Sequence, residues 1–247
     1  MTTVATSLPA SPAAHARDFW GMLTRQEQAT LRARTSASRH RKGTVIVSEG
    51  VPADRVTIIR SGWAKATAIK GDRPVLLRLY GPGELIGVSA ALTGTAPAET
   101  VTVTSWEVHA ISLAARSFSD FLHRAANASA ALHRLQQWRL EEADRLRTIR
   151  DYPTAAQRLA GLLTELCRPE NDPIQHSDGT LSVPSAGASQ QDLGSWIGDS
   201  RKTVVRALSE LRSLKLITSE MRQHVRVTDP DRLRTFAEAA DAGRPTS

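Results

Sequence analysis

The sequence is poor in cysteine and in aromatic side chains. Cys167 is the only cysteine in 247 residues, and Phe, Trp and Tyr together make up 4% of the chain. A single thiol excludes an intramolecular disulfide and a metal cluster held by several cysteines of one chain. Leucines at helical spacing precede Cys167, which favours a packing role for it; a redox sensor is the alternative.

Long apolar runs are also missing. The N-terminus has no charged segment followed by an apolar run, and the uncharged stretch 85–98 is short and contains Gly, Thr and Pro. A membrane-spanning helix needs about 20 apolar residues, so we expect no membrane partner and a cytoplasmic location. A hydrophobic content of 40% over this length suits two globular domains with cores of their own.

Positive charge is unevenly distributed along the chain. The net charge is +7, yet residues 1–150 carry all of the surplus and residues 151–247 are slightly acidic. Within that second part, the segment 196–234 has nine basic and five acidic residues. A claim of nucleic-acid binding must therefore depend on where the cations are placed and not on the overall pI.

The segment 189–211 has the pattern of two helices joined by a tight turn. Gly198-Asp199 is a turn sequence, and Ser200 is a good N-cap for a second helix. In that second helix, Val204 and Leu208 begin an apolar stripe, while the opposite face is polar. This length and order predict a helix-turn-helix.

Basic side chains crowd the first turns of the second helix. Arg201, Lys202 and Arg206 occupy positions at which the helix dipole disfavours cations, which indicates an anionic partner such as DNA. Two short β-prone runs around a polar turn follow, and they predict a wing. We expect Arg222 and Arg226 of this wing to contact the sugar-phosphate backbone. The alternative is a packing module whose basic face is merely solvated.

The first half of the chain consists mainly of short β-prone runs separated by glycines. They cover 45–47, 56–59, 63–67, 75–79, 101–104 and 108–111. This spacing predicts a small antiparallel barrel or roll. Ahead of it, Thr24 and Glu27 form a capping box that predicts a short helix ending near Arg34, and residues 1–16 have the composition of a disordered tail.

A long segment without glycine or proline, from about Ser117 to Ile149, predicts a helix. Its heptad a and d positions are Leu132, Leu135, Arg139, Glu142, Leu146 and Ile149. A heptad register of this length favours a partner helix, and hence a homodimer whose helix interface is polar in its middle, at Arg139 and Glu142. The alternative is a helix that packs on its own barrel. Asp151-Tyr152-Pro153 then ends the helix and predicts a domain boundary.

A roll, a long helix, a hinge and a winged helix-turn-helix in this order resemble the Crp/Fnr family of transcription regulators. The pieces that carry the resemblance are Lys42-Gly43, Glu49-Gly50, Ala53-Asp54, Ser61-Gly62, the runs 82–87 and 200–206, and Arg158-Leu159-Ala160. The resemblance implies an α+β fold. After a tail (1–16), it has a cyclic-nucleotide-binding-type β-roll (17–116), a dimerisation helix (117–150) and a winged helix-turn-helix domain (151–240).

The resemblance implies a homodimeric, sequence-specific DNA-binding regulator and no enzymatic activity. Its partners would be double-stranded DNA and a second copy, with RNA polymerase and an unidentified small-molecule effector as further candidates. The alternative is a signalling adaptor whose barrel binds another nucleotide or a protein.

Individual positions can be carried over from the family to the predicted DNA surface. By their match to the family, Arg201 and Arg206 would read guanines. The other residues of this surface are Ser189, Gln190 and Gln191 at phosphates, with Ser200, Lys202, Thr203, Arg222 and Arg226. The family commonly has a glutamate where this chain has Lys202. Lysine offers no acceptor to cytosine, so the half-site that this chain prefers should differ from that of family members with the glutamate.

The predicted sensor departs from the family's cyclic-AMP binders. Val88 replaces their ribose-binding glutamate, and the window 94–100 lacks their phosphate-binding arginine and has Glu99 as its one charge. We therefore expect no cyclic-AMP binding. A helix start at Gly87, Val88, Ser89 and Ala90 could hold another anion; a vestigial, filled pocket is the alternative.

No cofactor or metal is expected from the sequence. The histidines are scattered, without an i, i+4 pair. His40 and His109 remain open as lone haem ligands.

Overall fold

A computed structural model describes residues 17–171, 173–184, 188–220 and 224–239. The tail predicted at 1–16 and the wing residue Arg222 lie outside these ranges. Along the described part of the chain, none of the helices combines the length and the hydropathy that crossing a membrane requires.

The N-terminal domain is a roll of two antiparallel sheets preceded by two short helices. The helices are α1 (Phe19–Met22) and α2 (Arg25–Arg32). The strands are β1 (Ser36–Arg41), β2 (Val45–Val47), β3 (Arg55–Ser61), β4 (Ala64–Lys70), β5 (Arg73–Tyr80), β6 (Leu85–Ile86), β7 (Thr100–Val103) and β8 (Glu107–Ala114), with helix α3 (Val88–Thr93) between β6 and β7. The sheet orders are β1-β8-β3-β6 and β2-β7-β4-β5.

The predicted β-roll is confirmed, with two strands added. The capping box of Thr24 and Glu27 is formed at the start of α2, as predicted. Strand β1 was not predicted because its sequence, Ser-Ala-Ser-Arg-His-Arg, shows no apolar alternation. Its place is decided by pairing with β8, where Ser36 lies opposite Ser112. Tertiary pairing thus creates a strand that local propensity does not favour.

Two helices, and not one, follow the roll. Helix α4 (Ala115–Arg124) and helix α5 (Ala126–Ile149) are separated at Ala125, whose φ of −123° and ψ of 87° are not helical. The prediction of a single helix from about Ser117 is therefore wrong. Phe118 and Phe121 of α4 pack into the same core as Trp138 of α5. The break lets α4 cover the outer face of the roll before α5 runs toward the C-terminal domain.

The heptad positions of α5 face the protein's own core. Leu132 and Leu135 are 5% and 1% exposed and pack with the roll, while Ile149 belongs to the core of the C-terminal domain, against which Leu146 also packs. The prediction that these residues face a partner helix is wrong. The alternative, a helix packed on its own barrel, is the observed one, since burial of the apolar stripe within the chain satisfies the same heptad pattern.

The C-terminal domain contains the predicted helix-turn-helix and wing. Its helices are α6 (Ala155–Leu166), α7 (Gln190–Ile197), α8 (Arg201–Ser213) and α9 (Pro230–Glu238). Strands β9 (Ile174–Gln175), β10 (Leu181–Pro184), β11 (Ile217–Glu220) and β12 (His224–Val227) form one sheet in the order β11-β12-β10-β9. The sequence predicted the last two strands only. Cys167 caps α6, half-buried, and burial raises the pKa of its thiol to about 12, which favours the packing role.

Candidate nucleic-acid interface and sensor pocket

The turn between α7 and α8 depends on close backbone approach. Gly198 ends α7 with a φ of 78°, and the Asp199 amide donates to the Gly194 carbonyl at 2.7 Å. A Cβ added at Gly194 would lie 2.6 Å from the Asp199 carbonyl oxygen, so only glycine fits there. Arg158 of α6 fixes the turn from outside through a 2.8 Å ion pair with Asp199.

Helix α8 has one buried and one free face. Val204, Ala207, Leu208 and Leu211 are buried in the domain core. Ser200 caps the helix by accepting from the Thr203 amide, while Arg201, Lys202 and Arg206 are exposed. Arg201 makes one long contact, from its Nε to Gln190 Oε1 at 3.4 Å. The predicted base-reading side chains therefore lie together on an accessible surface at the start of α8.

The N-terminus of α7 lies beside this surface. Ser189 and Asp192 form a capping box, and Ser189 and Gln191 are exposed while Gln190 is half-buried. Backbone and hydroxyl donors at a helix N-terminus suit phosphate oxygens. These positions are compatible with the predicted phosphate contacts.

The wing arginine Arg226 is held by neighbouring residues. Its Nη2 pairs with Asp178 Oδ2 at 2.8 Å, and its Nε donates to Thr180 Oγ1 at 2.6 Å. Hydrogen bonds from Thr180, with a contribution from Arg226, lower the pKa of the exposed Asp178 carboxyl to about 2. The phosphate contact of Arg226 stays a prediction, and it would require a phosphate to compete with Asp178.

Two unpredicted contacts join α7 to the roll. Lys65 of β4 pairs with Asp192 at 2.6 Å, and the Leu76 amide of β5 donates to Ser195 Oγ at 2.8 Å. Burial raises the pKa of Asp192, but hydrogen bonds from Lys65 and Ser189 outweigh it and leave that pKa below its usual value. The first helix of the helix-turn-helix is thus docked on a hairpin of the N-terminal domain.

The roll contains a cavity of about 320 Å³ beneath α3. The predicted start of this helix is confirmed: Gly87 has a φ of 81°, and an added Cβ would meet the Arg55 carbonyl oxygen at 2.9 Å. Val88 and Ala90 are buried and Ser89 is exposed, and all three line the cavity. The side chains of the roll thus leave an open cavity at the position where the sequence left a filled pocket as the alternative.

Two arginines from outside the window 94–100 reach this cavity. Arg78 of β5 and Arg139 of α5 line it together with Glu99. Tyr80 donates to Glu99 Oε1 at 2.6 Å, and Arg78 Nε lies 3.8 Å from Glu99 Oε2. The window 94–100 itself has no cation, but β5 and α5 supply two from outside it, which the sequence analysis missed.

A buried ionic network connects this cavity to the C-terminal domain. Glu84, 1% exposed, pairs with Arg17 at 2.7 Å and with Arg139 at 3.5 Å. Arg17 Nη1 also donates to Asn171 Oδ1 at 2.6 Å, and Asn171 follows α6 in the C-terminal domain. We call Glu84, Arg17 and Asn171 the Arg17 bridge. No local pattern predicted this bridge, since its members lie far apart along the chain.

Glu142 lies in the same junction. It lines a small gap with Arg17, Trp63 and Trp196. Burial raises the pKa of Glu142 to about 7, against the opposing charge of Arg17. Arg139, the other polar heptad residue, is engaged by Glu84 and by the Leu85 carbonyl within the chain.

Family models match both domains of this chain. A cyclic nucleotide-binding domain model covers residues 37–125, and a Crp-like helix-turn-helix domain model covers residues 157–236. The chain belongs to the Crp/Fnr family. No curated protein sequence matches it.

Solved structures of Crp/Fnr regulators have the same fold. FixK2 from Bradyrhizobium japonicum is 20% identical with a TM-score of 0.69, over 84% of this chain and 99% of that one. CooA from Carboxydothermus hydrogenoformans, a mutant form, is 14% identical with a TM-score of 0.69, over 85% and 90%. The c-di-GMP-responsive regulator CLP from Xanthomonas campestris is 18% identical with a TM-score of 0.65, over 82% and 98%.

The protein therefore has the fold of a Crp/Fnr-type helix-turn-helix transcription regulator. Within the ranges that the structure describes, no group of three or more His, Cys, Asp or Glu side chains could hold a metal ion. The two histidines considered as haem ligands are both engaged, His40 with Ser38 Oγ at 2.9 Å and His109 with Glu107 at 2.8 Å.

Proposed function

We propose that this protein is a sequence-specific DNA-binding transcription regulator that acts as a homodimer. The observation that carries the proposal is the exposed cluster of Arg201, Lys202 and Arg206 at the start of α8, next to the phosphate-suited N-terminus of α7. Arginine forks match guanine edges, and amide and hydroxyl donors match phosphates. Lys202 gives a half-site preference different from that of family members with glutamate there.

The homodimer would use the outer face of α5. Because the heptad face is buried in the chain, a partner must contact the opposite face, where Leu140 is 63% exposed between Gln137 and Asp144. A two-fold dimer would present two copies of α8 to one duplex, and the operator would then be palindromic. Leu140→Glu should convert the dimer to a monomer in sedimentation experiments. If the variant sediments as the wild type does, the dimer interface does not include Leu140.

The sensor pocket would not take cyclic AMP. Val88 offers no acceptor to a ribose hydroxyl. Arg78 and Arg139 line the cavity, but each already faces a carboxylate of the chain, Glu99 and Glu84 respectively. Micromolar affinity needs about 8 kcal/mol, which is difficult to reach without a ribose anchor and with both cations engaged. Calorimetric titration with cyclic AMP should give no micromolar binding.

Selection of bound duplexes from a random pool tests the DNA-binding proposal. The full-length protein should enrich a palindromic motif, and its affinity for that motif should fall steeply with salt. Failure to enrich any motif would favour the adaptor function, in which the helix-turn-helix serves only as a packing module.

A further inference from the structure

The roll has a second cavity, of about 490 Å³, between β1, the segment 46–55 and the strands β3 and β8. We call it the β1 cavity. Of the described residues, Val47 alone lines both this cavity and the one beneath α3. Its volume is within the range of small-molecule sites, so it is a candidate site in its own right.

The inward face of the sheet becomes polar where the β1 cavity begins. Val108 and Ala110 of β8 and Ile59 of β3 belong to the apolar core of the roll. Two residues along the same strand faces, Ser112 and Thr57 line the cavity and are only 8% and 6% exposed. Buried polar side chains at core-facing positions are the exception in a fold, and such exceptions occur at functional sites.

Strand β1 continues this polar face. Ser36 lies opposite Ser112, and Ser38 lies opposite Ala110. Ser36, Ser38 and His40 alternate along β1, and all three line the cavity. The missing apolar alternation of β1 therefore has a structural reason, since its inward positions face the β1 cavity and not a hydrophobic core.

The hydroxyls of this cavity leave hydrogen-bonding capacity unused. Thr57 Oγ1 and Ser112 Oγ are 2.9 Å apart, and a bond between two hydroxyls uses one of their two protons. Among the described residues, no acceptor takes the second proton. The hydroxyl of Ser48, a half-buried lining residue, has no hydrogen bond within that part of the chain either. A ligand that brings both donors and acceptors to these hydroxyls is therefore favoured.

The charges at the β1 cavity balance. Arg55 donates through Nη2 to Ser36 Oγ at 2.8 Å and to the Ser112 carbonyl at 3.1 Å. The exposed carboxylate of Asp54 makes no hydrogen bond or ion pair with the described residues. One guanidinium and one carboxylate give the cavity no net preference for an anion, and Asp54 disfavours a phosphate.

We propose that the β1 cavity binds a small neutral polyhydroxylated molecule, a sugar or a polyol. Each ligand hydroxyl is a donor and an acceptor, as the serine and threonine hydroxyls of the wall are. Arg55 adds a donor and Asp54 an acceptor at the rim, while Ile46, Val51 and Pro52 offer an apolar surface to the ligand's C–H groups. This site goes beyond the proposed DNA binding and does not depend on it.

Calorimetry on the full-length protein without DNA tests the ligand class. The probes are D-glucose, D-galactose, D-ribose, myo-inositol and glycerol, with cyclohexanol, a six-membered ring with a single hydroxyl, as the control. At least one probe should bind with a Kd below about 5 mM, and cyclohexanol about tenfold or more weakly. The proposal is overturned if none of the five binds in that range, or if cyclohexanol binds as tightly as the best of them.

Two anionic probes test the assigned neutrality of the ligand. Gluconate and glucose 6-phosphate should bind no more tightly than the best neutral probe, because Asp54 opposes a negative charge. Tighter binding of either anion would identify an anion site at Arg55 and overturn the proposal. Since the titrations contain no DNA, their failure leaves the proposed function intact.

Removal of the two buried hydroxyls tests the assigned contacts. The double variant Thr57→Val, Ser112→Ala changes little volume and should weaken the best ligand about tenfold or more. It should melt at the wild-type temperature or higher, because the unused buried donor is gone. Thr102→Val, at a half-buried position of β7 outside the cavity, is the control and should bind as the wild type. Wild-type affinity in the folded double variant would overturn the site.

Ser48→Ala is the second variant. It removes a hydroxyl from the segment after β2 and should weaken the best ligand about threefold or more. If the double variant does not fold, Ser48→Ala alone decides, and wild-type affinity in it would overturn the site.

Discussion

Arginines in two regions of this protein have opposite environments. Arg201 and Arg206 on α8 are exposed, and the Arg201 Nε lies 3.4 Å from Gln190 Oε1. Arg17 and Arg139, in the junction between the domains, have side chains only 9% and 16% exposed and share the buried Glu84. An exposed arginine keeps its donors accessible to an external anion, whereas a desolvated and paired arginine holds parts of the fold together.

Aromatic rings strengthen the difference. The Arg17 guanidinium lies 5.3 Å from the Trp63 ring centroid and 5.6 Å from that of Trp138. Cation–π contacts are worth more when both groups are desolvated. Arg17 thereby connects Trp63 of the roll, Trp138 of α5 and Asn171 of the C-terminal domain. The exposed α8 arginines contribute little to the stability of the free protein.

The largest expected effect is on stability, at the buried arginines of the domain junction. Glu84→Gln removes the one carboxylate shared by Arg17 and Arg139, and it should lower the free energy of unfolding by about 3–5 kcal/mol, since uncompensated buried charge remains. Urea denaturation measures this. Glu107→Gln, which removes a half-buried surface partner of His109, is the control and should cost less than about 1 kcal/mol. Equal losses of unfolding free energy in the two variants would show that the buried Glu84 network stabilises the fold no more than a surface pair does.

Substitution of the exposed α8 arginines should instead lower DNA affinity and leave stability nearly unchanged. Arg201→Ala should lower the affinity for the selected duplex by about 1–3 kcal/mol and relax one base position. Its unfolding free energy should change by less than about 0.5 kcal/mol. Arg212→Ala, in the last turn of the same helix, should change neither quantity much. A uniform loss on specific and random duplexes would mean that Arg201 only contacts the backbone.

Glu142 allows a pH test of the junction. Burial raises its pKa to about 7 in the folded protein, well above the usual range of a glutamate, so folding favours the protonated form. The wild type should therefore lose stability as pH rises through this interval, and Glu142→Gln should be more stable by on the order of 1–2 kcal/mol near pH 8. Near pH 4 the two proteins should converge. Thermal melts across this range measure the difference.

The exposed Glu141→Gln serves as the control for Glu142. Its pH profile should follow that of the wild type. A parallel profile for the Glu142 variant would contradict the assigned burial.

The smallest effect is expected at the contact between the two domains. Lys65 and Asp192 are 25% and 13% exposed, so their pairing should contribute about 0.5–1 kcal/mol in a double-mutant cycle of Lys65→Ala and Asp192→Asn. Arg234 and Asp231, 56% and 83% exposed, provide a matched pair for which no measurable coupling is expected. A coupling energy no larger than that of the control would mean that the Lys65 contact does not hold α7 in place.

Much of the helix-turn-helix could be predicted because its signals are local. A capping residue such as Ser200, turn chemistry at Gly198 and an apolar stripe from Val204 all act within one helical turn or two. The same holds for the capping box of α2 and for the strands with apolar alternation. Strand β1 escaped prediction because its sequence lacks that alternation and only pairing with β8 makes it a strand.

The sequence by itself determined the helix-turn-helix, the capping box of α2, the strands with apolar alternation and the exposed cations of α8, since spacing and capping are properties of neighbouring residues. Tertiary structure alone decided which face of α5 is buried, because a heptad stripe is satisfied equally by a partner helix or by the chain's own core. It also brought Arg17, Glu84 and Asn171 together across 154 residues. Desolvation there pairs charges that no local pattern could connect.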